Sequence, residues 1–136
     1  MTRRMETIQP PDWAKPKGYA NGIIADGPLL FVAGQVGWDP LREEPTFPTS
    51  FVEQFEQALA NVLAVVQTAG ADASHVVRMT IYVVDKQAYL ASLKELGQAW
   101  KRKMGRHYPV MALVQVAGLV EPGAMLEIEA TAVLPR

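Results

Sequence analysis

The sequence predicts an α+β fold in which two helices cover one face of a mixed sheet of about six strands. Two apolar stripes with helical spacing stand among shorter stretches with strand character, in the order β-β-α-β-α-β-β. Two amphipathic helices can cover only one face of a sheet of that size. The opposite face, judged from the alternation in residues 125–134, is neither fully polar nor fully apolar, so we expect it to be buried against other subunits.

The composition is that of one domain spanning residues 1–136, without internal repeats or linkers. Its 13 Lys and Arg oppose 14 Asp and Glu with no basic stripe, so we expect no nucleic-acid partner. Because the chain has no cysteine and no phosphate-loop, catalytic-triad or metal-ligand spacing, we expect no metal and no cofactor. No stretch approaches the length of a membrane span, so we predict a cytoplasmic protein with no membrane partner.

The first elements follow a proline-containing N-terminal segment. Residues 19–26 and 29–33 are predicted to form a two-stranded hairpin across Gly27-Pro28. Residues 34–48 contain too many turn formers to continue either strand, so we predict a surface loop of the kind that often carries function. Ser50 and Glu53 match a helical capping box, and the first helix is predicted to continue from them until Gly70.

The second half alternates strands with one helix. Residues 76–84 alternate apolar and polar side chains, which predicts a strand with one polar face. A helical stripe that ends at Gly105 predicts the second helix, with basic residues in its last turn, where the helix dipole favours them. The stripe consists of Tyr89, Leu93, Leu96, Trp100 and Met104. Two further strands are predicted at 110–117 and 125–134, joined by a turn at residues 121–123.

Five segments together resemble the signatures of the RidA (YjgF) family. They are GYANGI (18–23), FVAGQVGWDP (31–40), VVRMTIYVVD (76–85), YPVMALVQVAGL (108–119) and LEIEATAV (126–133). The resemblance implies a chorismate-mutase-like α+β subunit and a homotrimer that binds a small molecule in clefts between subunits. It also implies the hydrolysis of reactive enamines and imines, such as those released by pyridoxal-phosphate enzymes, to ketoacids and ammonia.

The resemblance assigns residues to the cleft one position at a time. Tyr19 matches the family's cleft tyrosine, and Gly34 and Gln35 match a Gly-Gln pair after the second predicted strand. Glu127 matches the glutamate proposed to position the hydrolytic water, which makes it the candidate catalytic residue. Backbone groups near Ala112 are expected to bind the polar end of the substrate.

Several departures from the family pattern predict a divergent subgroup with a more apolar cleft. Met111 stands where active members have the arginine that grips the substrate carboxylate, so a bidentate clamp is missing. Ala33 replaces a serine or threonine, Leu93 lies about where an asparagine is expected, and Leu113 takes a position often filled by cysteine. We therefore expect a ligand that is larger or more apolar than amino-acid-derived 2-aminoacrylate.

The candidate groups also have simpler interpretations. Glu127 and Glu129 share a strand face and suit acid–base chemistry, but they are equally typical of solvated strand glutamates. The Tyr19 phenol suits a substrate oxygen, or its ring only packs at an interface. Arg102, Lys103, Arg106 and His107 form either a replacement anion grip or a solvated helix end. We interpret His75 as a turn residue.

Two functional hypotheses remain open at this point. The first is a hydrolytic deaminase in which Glu127 orients or deprotonates water. The second, favoured by the missing arginine, is a non-catalytic trimer that binds or senses a small molecule in the same cleft. The family's older label of endoribonuclease or translation inhibitor is a third possibility, and the net charge of −1 and the lack of a basic aromatic strand platform count against it.

Overall fold

The computed structural model describes residues 4–44 and 46–135, and within them it contains six strands and three helices. The strands are β1 (Arg4–Ile8), β2 (Gly22–Asp26), β3 (Leu29–Val36), β4 (Val76–Val83), β5 (Val110–Gln115) and β6 (Leu126–Val133). The helices are α1 (Phe51–Thr68), α2 (Lys86–Leu90) and α3 (Leu93–Met104). The predicted α+β class with a mixed sheet is confirmed. No helix in these two ranges is both long and apolar enough to cross a bilayer.

The strands form a four-stranded sheet in the order β3-β6-β4-β5 and a separate antiparallel pair of β1 and β2. In the larger sheet β4 and β5 run parallel, and the other neighbours run antiparallel. The predicted hairpin of β2 with β3 is wrong. Pro28 has no N–H for a hairpin ladder, and its carbonyl accepts from the Leu134 N–H at 2.8 Å, which places β3 beside β6.

Other boundaries also differ from the prediction. Strand β1 lies in the N-terminal segment to which no structure was assigned, and β3 continues to Val36 through an irregular register between Val32 and Gln35. The second predicted helix is two helices in the structure. Asp85 caps α2, and the helical conformation is interrupted near Ser92 before α3 begins. The predicted cap of α1 is confirmed in its N-cap half: the Glu53 N–H donates to Ser50 Oγ at 3.1 Å, and Ser50 Oγ donates to the Glu53 carboxylate at 2.9 Å, a bond between the two side chains in place of the return bond of a full capping box.

The core lies between the sheet and helices α1 and α3. Alternate residues of β6 turn toward the helices and are buried, and they meet the buried stripe of α1. Trp100 and Met104 close the core from α3. The core members from β6 and α1 include Leu126, Ile128, Ala130, Ala132, Phe55, Leu59, Val62 and Val66. Removal of this apolar surface from water is the main favourable term that holds the helices on the sheet.

A buried amide fixes the loops at the start of α1. Gln54 is 1% exposed, and its Nε2 donates to the carbonyls of Pro48 and Gly123 at 2.9 and 3.0 Å. Its Oε1 accepts from the Met125 N–H at 2.9 Å, so the amide joins the loop before α1 to the loop before β6. A Cβ at Gly37 would lie 2.6 Å from Cα of Gln54, so the loop after β3 packs directly on the helix backbone.

The helix-free face of the sheet combines polar and apolar side chains. Thr80 and Tyr82 of β4 lie opposite Glu129 and Glu127 of β6, and all four are half-buried. Phe31 of β3 lies on the same face beside Thr131 and is 72% exposed. The mixed character expected from the alternation in β6 is therefore present.

Candidate functional site

The candidate catalytic glutamate lies against a glycine on the helix-free face. Glu127 of β6 is the register partner of Val36 at the end of β3, two residues after Gly34. A Cβ at Gly34 would collide with Oε2 of Glu127 and would stand 2.8 Å from its Cδ. The missing side chain of Gly34 thus makes room for the carboxylate. Ala33 and Gln35 flank that glycine, and the Gln35 Nε2 donates to the Ala33 carbonyl at 3.2 Å. We call Glu127 of β6 and Ala33, Gly34 and Gln35 of β3 the carboxylate cluster.

The two glutamates of β6 differ in their partners. The Tyr82 hydroxyl donates to Oε1 of Glu129 at 2.6 Å, so the Glu129 carboxylate is held by the neighbouring strand. The hydrogen bond to Glu129 raises the pKa of Tyr82, and partial burial and the charges of Glu129 and Glu127 act in the same direction. Glu127 makes no such bond among the described residues. It is the glutamate whose carboxylate is left for other partners.

We expect the Tyr82–Glu129 hydrogen bond to stabilise the fold in a pH-dependent way. The pKa of Tyr82 is raised above its ordinary value of 10.0, so its contribution is complete below pH 10.0 and is lost as the pH rises through the raised pKa. Tyr82→Phe should therefore be less stable than wild type at neutral pH, and the difference should shrink in strong base. Phenolate absorbance of the wild type minus that of Tyr82→Phe isolates this hydroxyl among the four tyrosines. Titration of Tyr82 below pH 10.0 would contradict the assignment.

A second group of candidate residues lines a pocket at the β5 edge of the sheet. This β5 pocket has a volume of about 200 Å³. Its lining consists of Lys17, Gly18, Tyr19, Ile81, Tyr89, Met111, Ala112 and Leu113. The Ala20 N–H donates to the Pro109 carbonyl at 3.0 Å, and Ala20 forms a parallel bridge with Val110. That contact fixes the loop of Tyr19 against the start of β5.

An apolar cavity adjoins the β5 pocket, and four residues, Gly18, Ile81, Tyr89 and Met111, belong to both. The cavity has a volume of about 200 Å³ and reaches under α3. Its other lining residues are Phe55, Leu93, Leu96, Gly97, Trp100 and Tyr108. The rings of Trp100 and Tyr108 stack with centroids 5.7 Å apart, and the Trp100 Nε1 donates to the His107 carbonyl at 3.1 Å. The indole is thereby held as one wall of the cavity.

The basic residues near the end of α3 divide between two places, one beside α1 and one in a groove next to Tyr19. Arg102 pairs with Glu56 of α1 through two contacts of 2.8 and 2.9 Å, which lower the pKa of that carboxyl. Nε2 of His107 lies 2.6 Å from the Val76 carbonyl, which can only accept, so this nitrogen carries a proton. Arg106 and His107 line a groove of about 550 Å³ together with Lys15. His75 bonds to Asp72 in a single 3-10 turn, as expected of a turn residue.

One chain does not bring the two groups of candidate residues together. The carboxylate cluster lies on β3 and β6, whereas the β5 pocket lies at the other edge of the sheet, with β4 between them. Met111 also pairs with the buried Met79, so it shares the helix-covered face of the sheet, opposite to that of Glu127. Within residues 4–44 and 46–135, no three His, Asp or Glu side chains are grouped so as to hold a metal ion.

Comparison with known proteins identifies the family. A family model described as "Endoribonuclease L-PSP" matches residues 12–134. The chain belongs to the RidA (YjgF) family. A 2-iminobutanoate/2-iminopropanoate deaminase of Capra hircus is 31% identical over 85% of this chain and 79% of its own length. A RutC family protein of Sinorhizobium fredii is 33% identical over 93% and 95% of the two chains.

Solved structures of RidA-family proteins share the fold. A Rid-family protein of unknown function from Yersinia pestis superimposes with a TM-score of 0.83 and 32% identity. The match covers 98% of this chain and 100% of that structure. The arrangement of β3, β6, β4 and β5 under two main helices is thus that of a solved RidA-family structure.

The sequence missed part of the β5 pocket and most of the apolar cavity. Tyr89 and Trp100 belong to a helical stripe whose spacing predicts core positions, and a cavity wall and a packed core have the same spacing. Leu93 and Met111, both candidate site residues, line the apolar cavity together. Lys17 had no signal of its own, although it stands two residues before the RidA-family tyrosine, Tyr19.

Proposed function

We propose that this RidA-family protein hydrolyses enamine or imine intermediates that are larger or more apolar than 2-aminoacrylate. The observation that carries the proposal is the apolar cavity that shares Met111 with the β5 pocket. A cavity walled by Trp100, Leu96 and Tyr89 suits an extended apolar side chain and offers little to a methyl group. The relative from Capra hircus, named as a deaminase of small imino acids, supports the reaction class.

The working unit is a homotrimer with its clefts between subunits. This assembly explains why the carboxylate cluster and the β5 pocket lie apart in one subunit. The β3 side of the sheet in one subunit would face the β5 edge of the sheet in its neighbour. Apolar side chains on and beside the helix-free face support burial there, because Phe31 is 72% and Leu29 56% exposed. A small-molecule ligand would then be enclosed between two chains.

Hydrolysis of a C=N bond needs a positioned water and a group that moves protons. In the proposed reaction Glu127 accepts a proton as the water oxygen bonds to the imine carbon, which gives a carbinolamine. Glu127 passes that proton to the nitrogen, which completes the neutral carbinolamine. It then transfers the hydroxyl proton of the carbinolamine to the nitrogen as well, so that the C–N bond breaks and ammonia leaves as the carbonyl forms. An imine and one water thus become an oxo compound and ammonia. Tyr19 lines the β5 pocket, where its phenol suits the carbonyl oxygen as it forms.

The proposal is tested with imines generated in place by an amino acid oxidase. Imines from leucine, phenylalanine and tryptophan are compared with the imine from alanine, and the rate of imine loss is measured with and without the protein. We expect acceleration for the bulky imines and little for the alanine-derived one. Equal acceleration for all four would contradict the size preference.

A non-catalytic trimer that binds a small molecule is the second candidate, and Met111 is the observation that favours it. Without a guanidinium at this position the cleft lacks the bidentate carboxylate clamp of active RidA-family members. A rise in melting temperature with bulky 2-oxo acids, together with no acceleration for any imine, would select this function. We do not propose RNA cleavage, because the carboxylates of Glu127 and Glu129 on the helix-free face would repel phosphates.

Filling the apolar cavity should reduce activity in proportion to substrate size. Gly97 lines the cavity from α3, and a Cβ there meets nothing within 4 Å, so the backbone has room for the first atom of the Gly97→Leu side chain at the cavity. We expect kcat/KM to fall about tenfold or more for the tryptophan-derived imine and less for the leucine-derived one. Steady-state kinetics of the two imines provide the comparison.

Gly97→Ala is the matched control for this experiment. It adds only a methyl group within helix α3, so we expect a gain in unfolding free energy of about 0.5–1 kcal/mol and kcat/KM within a few-fold of wild type. An equal loss for both imines in Gly97→Leu would show that the cavity does not hold the substrate side chain.

A further inference from the structure

A lysine stands in the pocket from which the family's arginine is missing. Lys17 lines the β5 pocket together with Met111, Tyr19 and Ala112. It is exposed, and no hydrogen bond or ion pair joins it to another residue in the described part of the chain. Among the described residues that line the β5 pocket, Lys17 is the one with a cationic side chain. An unpaired ammonium group is therefore available to a ligand in this pocket.

The backbone around Lys17 is held in place against β5. Gly18 has a φ of +79°, a left-handed conformation that other residues rarely adopt, and it turns the chain between Lys17 and Tyr19. Two residues later the Ala20 N–H bonds to the Pro109 carbonyl at 3.0 Å, at the start of the strand that carries Met111. Lys17 and Met111 thus stand in one pocket through a fixed connection, although 94 positions separate them in the sequence.

We infer that the Lys17 ammonium binds the carboxylate of the substrate in place of the arginine that the family has at position 111. The inference rests on the proposed function and adds its substrate class: a 2-imino acid with a bulky apolar side chain. The carboxylate lies at Lys17 in the β5 pocket, and the side chain enters the apolar cavity past Met111 and Tyr89, which line both spaces. Ammonium is a point charge without the planar fork of a guanidinium, so the carboxylate is held with less angular precision.

Other cations near the loop belong to a different space. Lys15, Arg106 and His107 line the groove of about 550 Å³ next to Tyr19. The β5 pocket shares Gly18 and Tyr19 with this groove but none of these three side chains. Lys15 therefore offers a matched control: it is the same residue type in the same loop, facing another space.

The test compares Lys17→Met with Lys15→Met in two assays. In the first, phenylpyruvate is titrated into each protein by calorimetry, with its neutral amide as a second ligand. We expect Lys17→Met to weaken phenylpyruvate binding about tenfold, with little change for the amide and little change for either ligand in Lys15→Met. In the second assay, KM for the phenylalanine-derived imine should rise by a similar factor in Lys17→Met, with kcat nearly unchanged.

A relocated charge gives the sharpest outcome. Adding Met111→Arg to Lys17→Met should restore phenylpyruvate binding, because position 111 lines the same pocket and a guanidinium there would supply the missing cation. Equal loss in Lys15→Met and Lys17→Met, or equal loss for acid and amide, would overturn the inference. If phenylpyruvate binding depends on Lys17 while wild type accelerates no imine, the proposed deaminase activity fails and the carboxylate site stands.

Discussion

Replacing Glu127 by glutamine is expected to lower kcat for a bulky imine by about 100- to 10,000-fold, which is the usual contribution of a positioned acid–base group. Glutamine keeps the shape of the side chain beside Gly34 but cannot accept the proton of the attacking water. The Glu127 side chain is half-buried and takes no hydrogen bond from Tyr82, so we expect folding stability to change little. The measurement is steady-state turnover of the phenylalanine- and tryptophan-derived imines by wild type and Glu127→Gln.

Glu129→Gln provides the matched control two residues further along β6. Both side chains lie on the helix-free face, but the Glu129 carboxylate is held by the Tyr82 hydroxyl at 2.6 Å. Its replacement should weaken that bond and lower stability, while kcat stays within a few-fold of wild type. If Glu129→Gln lost as much activity as Glu127→Gln, the general charge of the face would explain the loss. Undiminished turnover in Glu127→Gln would show that Glu127 takes no part in the reaction.

Periodicity predicted those parts of the fold that depend on local sequence. The stripe and the N-cap serine of α1 and the alternation of β6 were sufficient because each depends on one element alone. Strand pairing was not predictable in the same way. The partner of β3 is β6, about a hundred residues later in the sequence, and the two residues between β2 and β3 suggested a hairpin that the structure does not contain.

The candidate site was predictable only where the family resemblance named positions. Glu127, Tyr19 and Met111 could be proposed in that way, but nothing in the sequence indicated that Glu127 and Met111 lie on opposite faces of the sheet, with β4 between their strands. Lys17 became a candidate only through the contact of Ala20 with Pro109, a pairing between distant segments. Trp100 illustrates the limit for helices, because the spacing that buries a side chain also places it on a cavity wall.

Gly34→Ala should reduce turnover nearly as much as Glu127→Gln does, although it introduces only a methyl group. A Cβ at Gly34 would collide with the carboxylate of Glu127, which is the far end of a flexible side chain. The side chain can therefore rotate away at a cost of about 1 kcal/mol, while the carboxylate leaves its position. We expect kcat to fall about 100-fold with a nearly unchanged denaturation midpoint. Urea denaturation and imine turnover are measured on the same preparations.

Gly37→Ala separates a displaced catalytic group from a general disturbance of β3. A Cβ at Gly37 would stand 2.6 Å from Cα of Gln54, and helix backbone cannot rotate aside, so the unfolding free energy should drop by about 2–3 kcal/mol. Gly34→Ala should thus affect turnover more than stability, whereas Gly37→Ala, three residues away, should affect stability more than turnover. In the double variant Gly34→Ala with Glu127→Gln, turnover should equal that of Glu127→Gln alone, since a carboxylate that is absent cannot be displaced. Additive losses in the double variant would mean that Gly34 acts on the substrate without Glu127.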